Sequence, residues 1–201
     1  MQEMRKCTQR DADAINSGSK HDHEIFDGLI FKNAPLQDCA FTNCSFVGCD
    51  FTGAKCNNAR FASCNFSNAK IDGANLFSAE FTGCKLLGLR FSRANSMIGM
   101  KFDTCNFDYA DLRGVDLSGL DLSNSSFFET DMSMANLDKT VFVNSRLTNV
   151  KWEAAKFNMT DLRGAEILGI SLKQNLRGVI LTPQQVVQMA EAIGIHVVEA
   201  L

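Results

Sequence analysis

From Phe26 onward a bulky apolar residue recurs at every fifth position. The series runs Phe26, Phe31, Leu36, Phe41, Phe46, Phe51, Cys56, Phe61, Phe66, Ile71, Leu76, Phe81, Leu86 and Phe91. It then slips by one residue and resumes as Phe102, Phe107, Leu112, Leu117, Leu122, Phe127, Met132, Leu137, Phe142, Leu147, Trp152, Phe157, Leu162, Ile167 and Leu172. Of the 16 Phe, only Phe77 and Phe128 lie off these centres. A period of five is neither the 3.6 of a helix nor the plain alternation of a strand. A fixed repeat sustained over this length outranks local signals in setting the fold.

The position two before each centre carries a small residue in most repeats: Ala34, Cys39, Cys44, Cys49, Ala54 and Ala59 in the first half, Ser125, Thr130, Ala135, Thr140 and Ser145 in the second. In extended chain, residues two apart point to the same side. Each repeat therefore sends one small and one large side chain inward. The next inward residue comes three positions later, so the chain must bend once per repeat. Turn-forming residues such as Gly48, Gly53, Asn58, Gly114 and Asn124 stand at the bends. The pattern predicts an all-β solenoid with short straight sides and a filled interior.

Stretches such as Cys39-Ala40-Phe41-Thr42-Asn43 and Ala110-Asp111-Leu112-Arg113-Gly114 closely resemble the pentapeptide-repeat proteins. The resemblance covers about residues 24–181. It implies a right-handed quadrilateral β-helix with four repeats per coil, hence roughly seven coils and a rod of about 35 Å at ~4.8 Å per coil. Residues 1–23 read as a polar leader and 182–201 as a C-terminal cap.

Composition agrees with one folded rod: 201 residues, 45% hydrophobic, two Pro. No apolar run is long enough to span a bilayer, and no basic-then-apolar signal stands at the start, so a soluble cytoplasmic protein is expected. Of eight Cys, all but Cys7 occupy inward slots, and no C-x-x-C pair exists. They read as buried structural thiols, with a metal or redox site as the alternative. No metal and no cofactor is expected.

Three regions leave the repeat. The leader ends in Lys20-His21-Asp22-His23, a weak metal motif more consistent with a solvated segment covering the first coil. The stretch Ser96–Lys101 holds one extra residue and puts Ser where a centre is due, which predicts a bulge or kink, with a small partner-contacting protrusion as the alternative. At the C-terminus, Thr182-Pro183 opens a helix that Gly194 ends, and Ile195–Val198 reads as a short strand. Val186, Val187, Ala190, Ile193, Ile195 and Val197 make an apolar surface suited to pairing with a second copy.

This ending is similar to that of the topoisomerase-protecting subgroup, which includes the mycobacterial and Qnr-type quinolone-resistance proteins and the albicidin and microcin immunity proteins. The resemblance implies a homodimeric rod that mimics duplex DNA and binds DNA gyrase or topoisomerase IV. The two long loops of the Qnr type are missing, so the loop-poor mycobacterial type is the nearer comparison. Charge gives separate support. Net charge is only −3, but Asp103, Asp108, Asp111, Asp116, Asp121, Glu129, Asp131 and Asp138 face a single base, Arg113, between 102 and 138. With Asp161 these residues form the candidate partner-binding set, although carboxylates just before a centre also suit simple turn chemistry. Residues 26–101 hold five acids and eight bases.

Catalysis is not expected: there is no nucleophile or phosphate-loop motif, and the three His are His21, His23 and His196. Direct nucleic-acid binding lacks interleaved exposed aromatics. The alternative function is a scaffold or signalling rod binding another protein.

Overall fold

The computed structural model describes residues 3–167, 176–192 and 194–198. The centre expected at Leu172 and the cap residue Ile193 lie outside the described residues.

The chain winds into a parallel solenoid whose register advances 20 residues per coil, which is four repeats of five. One column of parallel bridges shows this directly, running Ile25, Ser45, Asn65, Lys85, Asn106, Ser126, Arg146 and Glu166. Those seven steps match the expected coil number. On one side the backbones are extended enough to form a five-stranded parallel sheet of β2 (Lys20–Asp22), β4 (Ala40–Thr42), β5 (Arg60–Ala62), β6 (Glu80–Thr82) and β7 (Lys101–Asp103).

Most bends away from the five-stranded sheet are turns closed from the small inward residue back to the centre, as in Cys49 N–H to Phe46 O at 3.1 Å and Ala54 N–H to Phe51 O at 2.9 Å. The residue two past the centre has positive φ, 66° at Gly48 and 57° at Asn58. A positive φ at this position defines a type II turn and selects Gly or Asn.

The centres fill the interior as columns. Phe46 stacks on Phe26 at 5.1 Å and on Phe66 at 4.8 Å between ring centroids. The small slot has a second task. Its thiol or hydroxyl donates to the carbonyl of the centre one coil earlier: Cys49 to Phe26 O at 3.0 Å, Cys84 to Phe61 O at 3.2 Å, Thr130 to Phe107 O at 2.8 Å, Thr140 to Leu117 O at 2.8 Å. This is why Cys, Ser and Thr alternate with Ala there. Burial pushes the Cys49 and Cys105 thiols up to about 12, so they act as packing groups and weak donors, not nucleophiles.

The N-terminal stretch differs from a solvated leader. β1 (Arg5–Lys6) pairs with β3 (Glu24–Ile25), and a short helix α1 (Gln9–Asp13) follows, capped by Thr8 and Asp11. Cys7, Ala12 and Ile15 are buried. The repeat begins before residue 24, because His21 takes the centre slot of β2 and stacks on Phe41 at 5.0 Å. The Gln9 amide pairs with both backbone groups of Ile30 (2.7 and 2.9 Å), covering an open edge of the first coil.

The register break is a bulge, as expected, but it spans Phe91 to Ser96 and so meets the expected stretch Ser96–Lys101 only at its first residue. A 3₁₀ turn at Phe91–Arg93 takes up the extra residue. Asn75 then meets two residues, through Asn95 N–H to Ala74 O (2.9 Å) and Leu76 N–H to Ser96 O (3.0 Å). Met97, not Ser96, packs against the core as the centre. Stacking continues across the break, with Phe81 on Phe102 at 5.6 Å.

Beyond Leu181, helix α2 (Pro183–Ala192) closes the far end. Residues 195–198, expected as a strand, make no sheet pairing among the described residues.

Candidate interaction surface

The 20-residue register assigns each carboxylate to a side of the rod. Asp103, Asp121 and Asp161 lie on the side of the five-stranded sheet, and Asp108 and Glu129 on the next. Asp111 and Asp131 share the third, bridged directly coil to coil, and Asp116 and Asp138 sit on the fourth. The acids therefore form a belt around the rod, not a stripe along one wall.

Their local roles separate them. In the slot before a centre, the carboxylate accepts from the backbone N–H two residues on: Ser118 to Asp116, Ser123 to Asp121 and Ser133 to Asp131, each at 3.0 Å. This is the turn chemistry that Asp and Asn favour, and Asn65 does the same for Ser67 in the basic half. Asp108 and Asp138 instead fasten neighbouring coils. Asp108 accepts from Ser126 Oγ at 2.5 Å and Phe128 N at 2.8 Å, and Asp138 from Asn158 N at 2.9 Å.

Two carboxylates are neutralised in place. Arg113 grips Asp111 through Nε and Nη2 at 2.9 and 2.7 Å. The Arg113 hydrogen bonds hold the Asp111 carboxyl down at about 2. Arg163 clamps Asp161 in the same way at 2.7 Å, and Asp161 is only 8% exposed. Asp161 thus offers no free carboxylate to a partner. Asp103, Asp116, Asp121 and Glu129 are exposed and make no ion pair among the described residues.

At the C-terminal end α2 covers the last coil with a polar side chain. The buried residue of the helix is Gln185, not an apolar one. Its Nε2 donates to Leu162 O at 2.7 Å and Ala165 O at 3.0 Å, and its Oε1 accepts from Thr182 N at 2.9 Å. Leu162 is 23 residues earlier, the same offset by which Thr130 meets Phe107, so Gln185 stands in for the small residue of a missing coil. The apolar residues stay outside: Val186 and Ile195 are each 53% exposed, Val197 is 45% and Val198 83%. Val187 and Ala190 are half-buried.

Sequence profiles identify the repeat. The pentapeptide repeat region matches residues 20–94, and the eight-copy pentapeptide repeats match 105–142. The chain belongs to the pentapeptide-repeat family. The gap between the two matches, 95–104, adjoins the bulge. No curated protein matches the sequence. Among solved structures, a trypsin-treated variant of QnrB1, a plasmid-mediated fluoroquinolone resistance protein, overlays with a TM-score of 0.84. It is 23% identical, over 98% of this chain and 100% of that one. Full-length QnrB1 gives 0.82 at 24% identity over 95% of each. HetL, a pentapeptide-repeat protein involved in heterocyst differentiation regulation from the cyanobacterium Nostoc sp. Strain PCC 7120, gives 0.60 at 21% over 81% and 78%.

This pentapeptide-repeat rod holds no group of three or more His, Cys, Asp or Glu placed for a metal among the described residues. No described helix is long and apolar enough to cross a membrane. Two structural features escaped sequence reading. Gln185 was hidden because its partners are 20 and 23 residues away. The cluster of Tyr109, Phe128 and Arg146 was signalled only by Phe128 lying off a centre.

Proposed function

We propose that this rod binds a bacterial type II topoisomerase, DNA gyrase or topoisomerase IV, in place of duplex DNA, and thereby protects it from quinolones or peptide toxins. The observation that carries the reading is the acidic belt on an uninterrupted stack of coils. Eight carboxylates against one base between 102 and 138 present a net negative, elongated surface. A basic channel built for phosphates would meet Asp103, Asp116, Asp121 and Glu129 as unpaired charges. The shared architecture with a fluoroquinolone resistance protein over nearly the whole chain supports the same reading. In gyrase supercoiling with ciprofloxacin, the protein is expected to restore activity or, without drug, to inhibit it. Reversing Asp116 and Asp121 together to Lys should weaken gyrase binding more than reversing Asp38 and Asp50. The difference should shrink with added salt, because exposed charges beyond ~8 Å are screened at physiological ionic strength. Equal affinities at every salt concentration would remove DNA mimicry.

The assembly is a homodimer joined at the C-terminal ends. Ile180, Val186, Ile195, Val197 and Val198 leave an apolar end surface uncovered, and two-fold pairing of like surfaces is the commonest way to bury one. Residues 195–198 would gain sheet partners there. Sedimentation should give a dimer at micromolar concentration, and Val186→Glu with Val198→Glu should give a folded monomer. A monomeric wild type would overturn this.

A further inference from the structure

We propose that the topoisomerase contact is centred on an aromatic hot spot on one side of the rod, formed by Tyr109 and Phe128 with Arg146. This inference rests on the topoisomerase reading above and assigns it a face. Three separate observations point there.

Tyr109 sits in the left-handed turn slot at φ 62°, a slot that Glu129, Met134, Lys139 and Met159 also fill in the second half of the rod. A bulky residue at positive φ is strained. The Tyr109 side chain points outward and is 54% exposed. Glu129, one coil on in the same column, is also left-handed at φ 53° and exposed.

Phe128 is one of two Phe that leave the interior. It meets the Tyr109 ring edge to face at 5.6 Å, and the Arg146 guanidinium lies over its ring at 4.5 Å. Asp108 holds the Phe128 backbone N–H at 2.8 Å and Ser126 Oγ at 2.5 Å, so the patch rests on a fixed base. Exposed Tyr and Arg around a rigid apolar centre are the side chains that dominate interface energetics.

Charge complementarity selects the occupant. Asp108 and Glu129 border the rings on this side, while Asp103 lies on the side before it and Asp111 and Asp131 on the side after. Arg146 is occupied by Phe128, and Arg113 by Asp111. Of the two rings, that of Tyr109 has no cation over it among the described residues. A protein surface bearing Arg or Lys fits both the carboxylates and this ring, the latter by cation–π contact.

The test compares gyrase binding by wild type, Tyr109→Gly, Phe128→Ser and an Asp103→Lys/Glu129→Lys pair, at low and high salt. Glycine relieves the left-handed strain, so Tyr109→Gly should melt no lower than wild type yet bind gyrase about tenfold or more weakly. Its loss should persist at high salt, whereas that of the charge-reversed pair fades. Phe128→Ser should show the same persistent loss. If wild type binds gyrase and Tyr109→Gly and Phe128→Ser bind equally well, the hot spot is wrong and the topoisomerase reading stands. If wild type does not bind gyrase, both are overturned.

Discussion

Phe46→Ala should lower the stability of the rod by about 3–5 kcal/mol, the range for truncating a large, fully buried aromatic side chain. Phe46 has no exposed surface. It is also a junction. Besides stacking on Phe26 and Phe66, it meets Phe31, Phe41, Phe51 and Phe61 edge to face at 5.2–6.3 Å. Each such pair contributes roughly 0.5–1.5 kcal/mol beyond area burial. The turn that begins at Phe46 is anchored in backbone hydrogen bonds, Phe46 N–H to Asn65 O at 2.7 Å among them, so the coil cannot close on the vacated space. Phe77→Ser, in contrast, removes a Phe that is 45% exposed and should change stability by within about 0.5 kcal/mol, as surface substitutions do. Chemical denaturation of the two variants checks the contrast. Similar midpoints would mean that the five-residue series does not define the interior.

Gln185→Ala should destabilise the C-terminal coils by about 2–4 kcal/mol, since each buried polar group left without a partner costs ~1–3 kcal/mol. The carbonyls of Leu162 and Ala165 would lose their donor, and Thr182 N–H its acceptor, at the one point where the stack ends. Gln184, its exposed neighbour, serves as the control. Hydrogen exchange at the last coils reads the effect locally. In a quasi-one-dimensional stack, each coil is held mainly by its neighbours, so protection should fall near Leu162 while that near Phe46 stays. Unchanged exchange around Leu162 would show that α2 does not cap the rod through this amide.

Both results bear on how the rod could pair end to end. Because Gln185 closes the polar edge of the stack, α2 is free to turn its apolar residues outward. An apolar residue buried at 185 would leave Leu162 O and Ala165 O unpaired. The plug and the proposed pairing surface therefore belong to different residues of one short helix.

The interior and its coil count were legible along the chain, because each inward position recurs at a fixed spacing and every centre sees nearly the same surroundings. Phe41, Phe61, Phe81 and Phe102 could be placed in one column by counting. Sequence also located the helix from Thr182-Pro183 and the presence of a one-residue bulge. Tertiary structure alone decided where that bulge sits, since a slip of one residue can be absorbed at several points and only cross-coil hydrogen bonds place it between Phe91 and Ser96. It also decided that His21 belongs to the array, because an imidazole can occupy a centre when Phe41 supplies a ring to stack on and Ser19 and Glu24 meet its nitrogens at 3.0 and 2.8 Å. The carboxylates show the same division most clearly. Composition counts eight acids between 102 and 138, but charge acts through exposure and pairing. Whether Asp161 is clamped or Asp121 is free depends on an arginine two residues on in one turn and a serine in the other, and on what the next coil lays over them.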